Sequence, residues 1–177
     1  RRALGRREPA GNQACVASGI EAGETLRSAN GIPSSREDGV SALGFGCGNV
    51  GGLMVRADAA DQERAVARAL EAGVNYFDTA ADYGQGESER SLGRVLKKLR
   101  PANAIVGTKF RYAPGDGTIG AYMAKSLEES LKRMGREQVD LIQLHNDIRV
   151  EAAGGDLTPR QVLEEVVPAF ERLRAQG

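Results

Sequence analysis

The sequence contains no tryptophan, a single histidine and two cysteines among its 177 residues. Cys15 and Cys47 lie in unlike contexts, and two cysteines do not make the framework of a small disulfide-stabilised secreted domain. No apolar run approaches the roughly 20 residues that a membrane helix needs. Net charge is also absent, because 24 basic and 24 acidic residues cancel. We therefore expect a globular, cytoplasmic α/β protein with neither a membrane nor a nucleic acid as its partner.

The first 37 residues differ from the rest of the chain. They are rich in arginine, lack aromatic residues and hold no strand or helix period for more than a few positions. A secretory signal needs an apolar stretch of roughly 7–15 residues, which this segment does not contain, and acidic residues at Glu8, Glu21 and Glu24 argue against an organelle transit peptide. We interpret residues 1–37 as a poorly ordered or extraneous arm, and residues 38–177 as the folded domain.

From residue 40 onward, short apolar runs alternate with helical patterns. The runs predict four strands, over residues 40–46, 74–78, 104–109 and 139–145. The helical patterns are bounded by Asp58 as an N-cap, by Gly73, Pro101 and Gly135 as stops, and by a capping box at Thr158 followed by a proline. A second proline, Pro168, should bend the last helix. Alternation of this kind predicts a parallel sheet covered by helices.

Two closures of such a sheet remain open, a doubly wound sheet and a barrel. Gly46, Gly48 and Gly51 satisfy the G-x-G-x-x-G spacing of dinucleotide-binding folds. The helix is expected only from Asp58, however, which is too late for a phosphate site at its N-terminus. We therefore give this match little weight.

Polar residues stand at the C-terminal end of three successive predicted strands: Asp78, Lys109 and His145. Tyr83 follows in the loop after Asp78. Each has a structural alternative, as a loop cap, a solvated lysine, a buried histidine or a rim residue. Their common position at one end of parallel strands is hard to explain by packing, and in a barrel such ends surround one mouth.

Two further polar residues, Asn75 and Gln143, lie within the predicted strands rather than at their ends. We interpret both as structural.

The segment at residues 73–80 (GVNYFDTA), followed by Tyr83 and by residues 86–89 (GESE), resembles the signature of the aldo-keto reductases. The resemblance extends over about residues 40–177. It implies a parallel (β/α)8 TIM barrel and a catalytic group made of Asp78, Tyr83, Lys109 and His145. Tyr83 would donate a proton to the carbonyl oxygen, Lys109 would stabilise the phenolate, Asp78 would hold Lys109, and His145 would orient the substrate.

The same resemblance implies NADPH as the cofactor, since side chains cannot supply hydride. The substrate is expected to be a small carbonyl compound or, in the reverse direction, a sugar. Gly46, Cys47 and Asp78 are predicted near the nicotinamide ribose, although Cys47 fits equally well as a small buried hydrophobe. No metal site is predicted.

Only four of eight βα units are predicted, so we expect the N-terminal half of a barrel, from an incomplete record or a truncated reading frame. The unpaired edge strands of such a half barrel should favour self-association or aggregation. Three alternatives to the reductase remain open: an inactive fragment, a non-catalytic regulatory subunit of the same fold, and a Schiff-base aldolase that uses Lys109.

Overall fold

The computed structural model describes residues 39–113, 115 and 117–176, so the predicted N-terminal arm lies outside the described residues. Strands and helices alternate as expected. The strands are β1 (Gly44–Gly46), β2 (Tyr76–Asp78), β3 (Ile105–Phe110) and β4 (Leu141–Leu144). The helices are α1 (Leu53–Arg56), α2 (Ala59–Glu71), α3 (Glu87–Leu99), α4 (Ile119–Met134), α5 (Pro159–Gln161) and α6 (Val167–Gln176), with a π-helical turn (Val162–Val166) between the last two. None of these helices combines the length and apolar character that crossing a bilayer requires.

The four strands form one parallel sheet in the order β1-β2-β3-β4. Each strand pairs with the next one along the chain, and the pairing of Gly46 with Asp78 and of Lys109 with Gln143 fixes the register at the C-terminal ends. Side chains alternate between the two faces of a strand. The register therefore decides which residues share a face.

One face of the sheet is buried beneath the helices. Phe77, Val106 and Phe110 point to this side, and each is fully buried. They join two apolar clusters that contain residues of the surrounding helices, such as Leu92 of α3 and Met123 of α4. The core of the described chain therefore lies between the sheet and a single helical layer.

The opposite face carries Tyr76, Asp78, Lys109 and Gln143, all of which are partly exposed. In the described part of the chain no helix packs against this face. A doubly wound sheet would carry helices on both faces, whereas the strands of a barrel turn one face inward. The arrangement is therefore that of four consecutive βα units of a (β/α)8 barrel, and we call the uncovered face the inner face.

The predicted helix boundaries are confirmed. The Asp58 side chain accepts a hydrogen bond from the backbone N–H of Asp61 at 2.7 Å and caps α2. Gly135 ends α4 with a φ of 62°, in the left-handed region that favours glycine. Thr158 and Gln161 form the reciprocal capping box that the sequence predicts.

Each of the four strands differs from the prediction in at least one boundary. β2, β3 and β4 begin one or two residues later than expected, at Tyr76, Ile105 and Leu141. β1 begins only at Gly44. Before it, the Ser41 N–H donates to Asn75 Oδ1, and the Asn75 N–H donates to the Ser41 hydroxyl. β3 runs one residue beyond Lys109, to Phe110. β4 ends at Leu144, so His145 lies just after the strand. The His145 N–H still donates to the Phe110 carbonyl of β3, at 2.9 Å.

Two helical features also differ. The sequence predicts no helix before Asp58, whereas the short helix α1 begins directly after the glycine turn. A π-helical turn, which was also not predicted, precedes Pro168, and in it the Val167 N–H bonds to the Val162 carbonyl. Pro168 itself has no N–H to donate to the carbonyl four residues earlier, so the regular helical bonding is interrupted at this place.

A buried carboxylate joins three elements of the helical layer. Glu89 of α3 is fully buried. It accepts a hydrogen bond from the Thr108 hydroxyl of β3 at 2.6 Å and forms an ion pair with Arg133 of α4. Glu89 therefore connects α3 to both β3 and α4. Removal of Arg133 would leave this buried carboxylate without its charged partner.

We predict that Arg133→Met lowers the free energy of unfolding by about 3–5 kcal/mol, since the buried Glu89 side chain would lose its partner. Urea denaturation followed by circular dichroism measures the change. The matched control is Lys132→Met on the same helix, because Lys132 forms only an exposed pair with Glu128. Equal stability losses in the two variants would refute the structural role of the Glu89–Arg133 pair.

Candidate active site

The structure brings the four predicted catalytic residues together at the C-terminal ends of the strands. At the centre is Lys109, whose Nζ atom lies 2.7 Å from Asp78 Oδ2 and 3.3 Å from the Tyr83 hydroxyl. The same ammonium donates to the Thr79 carbonyl at 2.8 Å. A lysine ammonium has three donors. Lys109 therefore has an acceptor for each of its protons.

Strand register explains the Lys109–Asp78 contact. Asp78 is the last residue of β2, and Lys109 lies near the end of the neighbouring strand β3 with its side chain on the same inner face. The Lys109 side chain is only 11% exposed, which reduces the screening of its charge by water. An ammonium is therefore held in place beside a phenol.

Tyr83 reaches this ammonium from the loop after β2. Gly84 bends the loop with a φ of +59°, and a Cβ at that position would also meet Val55 at 2.4 Å. The Lys109 Nζ atom lies 4.9 Å from the centre of the Tyr83 ring. The His145 ring packs edge-on against Tyr83, with ring centres 5.7 Å apart. The phenol is thus held between a cation and an imidazole.

Two buried hydroxyls support this loop. The Thr79 and Ser88 hydroxyls lie 2.8 Å apart, and Ser88 donates to the Cys47 carbonyl at 2.8 Å. Ser88 belongs to α3, so one helix ties down the segments that follow β1 and β2. Both residues lie in or beside the motifs that suggested the family, but their role becomes visible only in three dimensions.

His145 has a neighbour that the sequence analysis missed. Its Nδ1 atom is buried, lies 3.3 Å from Asp82 Oδ2 and makes no hydrogen bond of good geometry. Asp82 also pairs with Arg111 at 3.3 Å. With Nδ1 turned toward a carboxylate, Nε2 is the nitrogen left to meet a substrate oxygen.

The interpretation of Gln143 as purely structural needs correction. Gln143 Nε2 lies 3.2 Å from Asp78 Oδ1, so this side chain belongs to the site. Its position in the strand, two residues before His145, places it on the inner face. Asn75, by contrast, has the expected structural role, since it bonds to the backbone at Gly39 and Ser41.

The predicted cofactor contacts fall into two kinds. Gly46 and Asp78 are paired on the inner face, and a Cβ at Gly46 would meet nothing within 4 Å, so open space lies beside the Asp78 carboxylate. This space and the acceptor oxygens fit the ribose end of a nicotinamide nucleotide. Cys47 instead points into the core and is 1% exposed. The structure thus favours the alternative interpretation, that Cys47 is a small buried hydrophobe.

The burial of Cys47 has a chemical consequence. Burial, and to a lesser degree the Asp78 charge, raises the pKa of the thiol to about 12, while Lys109 acts in the opposite direction. The thiol is therefore protonated near neutral pH, and a protonated, buried thiol is a poor nucleophile. This assigns Cys47 to packing rather than to chemistry.

Comparison with known proteins finds similar proteins in one family. The model of the Aldo/keto reductase family matches residues 42–177. The chain is 34% identical over 141 residues to the L-galactose dehydrogenase of Arabidopsis thaliana, covering 78% of this chain and 42% of that protein. It is 32% identical over 164 residues to the D-threo-aldose 1-dehydrogenase of a Pseudomonas species, covering 78% and 47%.

A solved structure extends the comparison. The crystal structure of an aldo-keto reductase from Klebsiella pneumoniae in complex with NADPH superposes with a TM-score of 0.59 at 28% identity, covering 89% of this chain and 47% of that one. The chain thus spans less than half the length of each of these three proteins.

We predict that Cys47 in the folded protein does not react with a disulfide reagent near pH 8, because the thiol is both buried and protonated. The measurement is the release of the coloured thiolate from a Cys15→Ser variant, in which Cys47 is the only thiol. The same variant in denaturant should release one equivalent. Rapid stoichiometric reaction without denaturant would contradict the assignment of Cys47 to the core.

Proposed function

Because the chain belongs to the Aldo/keto reductase family, we propose that it carries the proton-transfer group of an oxidoreductase that reduces an aldehyde or ketone with NADPH, or oxidises a sugar in reverse. The observation that carries the proposal is the position of the Lys109 ammonium, which contacts both the Asp78 carboxylate and the Tyr83 hydroxyl. An aldose is the substrate class we favour, since the names of two relatives specify sugars.

Tyr83 is the proton donor in this scheme. A carbonyl carbon that accepts hydride leaves negative charge on its oxygen, and the phenol supplies the proton that this oxygen needs. The departing proton leaves a phenolate, and the Lys109 ammonium at 3.3 Å stabilises its charge. In the oxidative direction the same phenolate accepts the proton of the alcohol.

Asp78 keeps the ammonium in position. Its Oδ2 atom forms a charge-assisted bond of 2.7 Å with Lys109, and such bonds are shorter and stronger than neutral ones. The Thr79 carbonyl at 2.8 Å adds a second restraint. The Lys109 amine therefore stays near Tyr83 before the substrate arrives, which is how preorganised charge lowers a barrier.

His145 orients the substrate oxygen. Its ring packs on Tyr83, and its Nδ1 atom faces Asp82. A carbonyl oxygen that is hydrogen-bonded to Nε2 would stand next to the Tyr83 hydroxyl, with its carbon toward the inner face. Orientation of this kind accounts for a large part of catalysis when two reactants must meet in one geometry.

When bound, NADPH supplies the hydride, which no protein side chain can provide. In this chain Asp78 and the open space at Gly46 would receive the ribose next to the nicotinamide. The partly exposed Asp78 carboxylate would accept a bond from a ribose hydroxyl.

The Schiff-base alternative requires Lys109 to act as a free amine that attacks a carbonyl carbon. In the described structure its three donors all have acceptors, namely Asp78, Thr79 and Tyr83. This engagement favours a fixed cation over a nucleophile. Borohydride treatment in the presence of an aldehyde separates the two, because an aldolase would gain a covalent adduct on Lys109.

We predict that Tyr83→Phe lowers the rate of carbonyl reduction by about 10²–10⁴-fold, the usual contribution of a general acid. NADPH consumption with glyceraldehyde, followed by absorbance, measures reduction. NADP⁺ reduction with L-galactose measures the reverse direction. Cofactor affinity, measured by fluorescence titration, should change little, since the phenol serves the substrate oxygen.

The control for this prediction is Tyr122→Phe, which removes a hydroxyl from α4, where the ring packs against Tyr112 and an apolar core cluster. The rate of carbonyl reduction by this variant should equal that of the unmodified protein. A Tyr83→Phe variant as active as the Tyr122→Phe variant would rule out Tyr83 as the proton donor.

A further inference from the structure

One phenol near the site has no part in the proton transfer described above. Tyr76 lies on the inner face of β2, two residues before Asp78. Its hydroxyl is 3.3 Å from Asp78 Oδ1, and Gln143 Nε2 lies 3.2 Å from the same oxygen. We propose that Tyr76 and Gln143 are positioning residues, which hold the Asp78 carboxylate in the orientation that presents its other oxygen to Lys109. The proposal rests on the proposed function and adds two residues to it.

The division of the two carboxylate oxygens is the central observation. Oδ1 faces two neutral donors, Tyr76 and Gln143, whereas Oδ2 faces the ammonium of Lys109 at 2.7 Å. The last torsion of an aspartate has a broad distribution, so a carboxylate without such partners rotates over a wide range of angles. Two donors at one oxygen narrow the range of angles of the carboxylate and keep its other oxygen directed at Lys109. The carboxylate in turn determines the position of the Lys109 ammonium, and the ammonium then contacts Tyr83.

The sequence provides space for the Tyr76 ring on both sides. A Cβ at Gly44 of β1 would lie 2.8 Å from a carbon of the Tyr76 ring, and a Cβ at Gly107 of β3 would lie 2.8 Å from its hydroxyl. Glycine at these two places lets the ring lie across the sheet so that its hydroxyl reaches Asp78. The slot is therefore formed by three neighbouring strands.

The two phenols near Asp78 have opposite electrostatic surroundings. The Tyr83 oxygen faces an ammonium, whereas the Tyr76 oxygen faces a carboxylate. Burial, then the charge of Asp78 and the hydrogen bond to it, raise the pKa of Tyr76 to about 12, against a smaller opposing effect of Gln143. Tyr76 therefore keeps its proton throughout the range in which an enzyme works. It serves as a permanent donor, not as a second acid.

The kinetic test compares Tyr76→Phe and Gln143→Met with the unmodified protein, using NADPH and glyceraldehyde. Each substitution removes one donor to Asp78 Oδ1 at similar volume. We expect kcat to fall about ten- to hundred-fold, as displacement of a catalytic group does, while KM for the aldehyde changes little. The matched control is Tyr112→Phe, whose hydroxyl bonds to the Gly117 carbonyl instead; it should keep full kcat.

A second readout does not depend on activity. Carbon-13 labelling of the tyrosine Cζ atoms lets NMR follow the ionisation of each of the four tyrosines. At a pH of about 11, a phenol with a pKa near 12 is only about a tenth ionised. In Asp78→Asn we expect Tyr76 to ionise at clearly lower pH, because the charge and hydrogen bond of Asp78 are gone.

These readouts separate the proposals. Unchanged kcat in active Tyr76→Phe and Gln143→Met variants would overturn the positioning role and leave the reductase assignment intact. An unmodified protein that reduces no carbonyl would overturn the proposed function. In that case the NMR titration still decides whether Tyr76 is coupled to Asp78, and an identical Tyr76 titration in Asp78→Asn would refute the contact.

Discussion

The contact between Lys109 and Asp78 is the interaction on which the site depends. It joins the ends of two neighbouring parallel strands, so it exists only if β2 and β3 pair in their observed register. A shift of one residue would turn one of the two side chains toward the helical layer. The phenol of Tyr83 and the donors on Asp78 Oδ1 are arranged around this ion pair. The geometry of the site therefore depends on the pairing of β2 with β3.

The sequence predicted what local chemistry determines. Caps at Asp58 and Thr158 and the glycine at Gly135 mark helix ends because they bond to, or adopt, nearby backbone conformations. The grouping of Asp78 and Lys109 followed from a simple rule, that parallel strands bring their C-terminal ends together. Helix caps act on backbone groups only a few residues away, and the grouping of strand ends requires only that neighbouring strands run parallel.

The features that the sequence did not reveal depend on side chains distant in the chain. Gln143 was assigned a structural role because its strand position does not tell whether it meets Asp78, 65 residues earlier. The contact of Asp82 with His145 could not be predicted, because it depends on how the loop that carries Asp82 and Tyr83 folds back. Cys47 lies within the glycine-rich turn, which suggested a cofactor contact, yet the alternation of side chains continues beyond the end of β1 and directs the thiol into the core.

The most direct test of the contact between Lys109, Asp78 and Tyr83 is a crystal structure of the protein that resolves the Lys109 side chain. We expect Lys109 Nζ to lie within about 3 Å of an Asp78 carboxylate oxygen and within hydrogen-bonding reach of the Tyr83 hydroxyl. A lysine that points away from both, with Asp78 bonded elsewhere, would contradict the central claim, because no cation would then face the phenol.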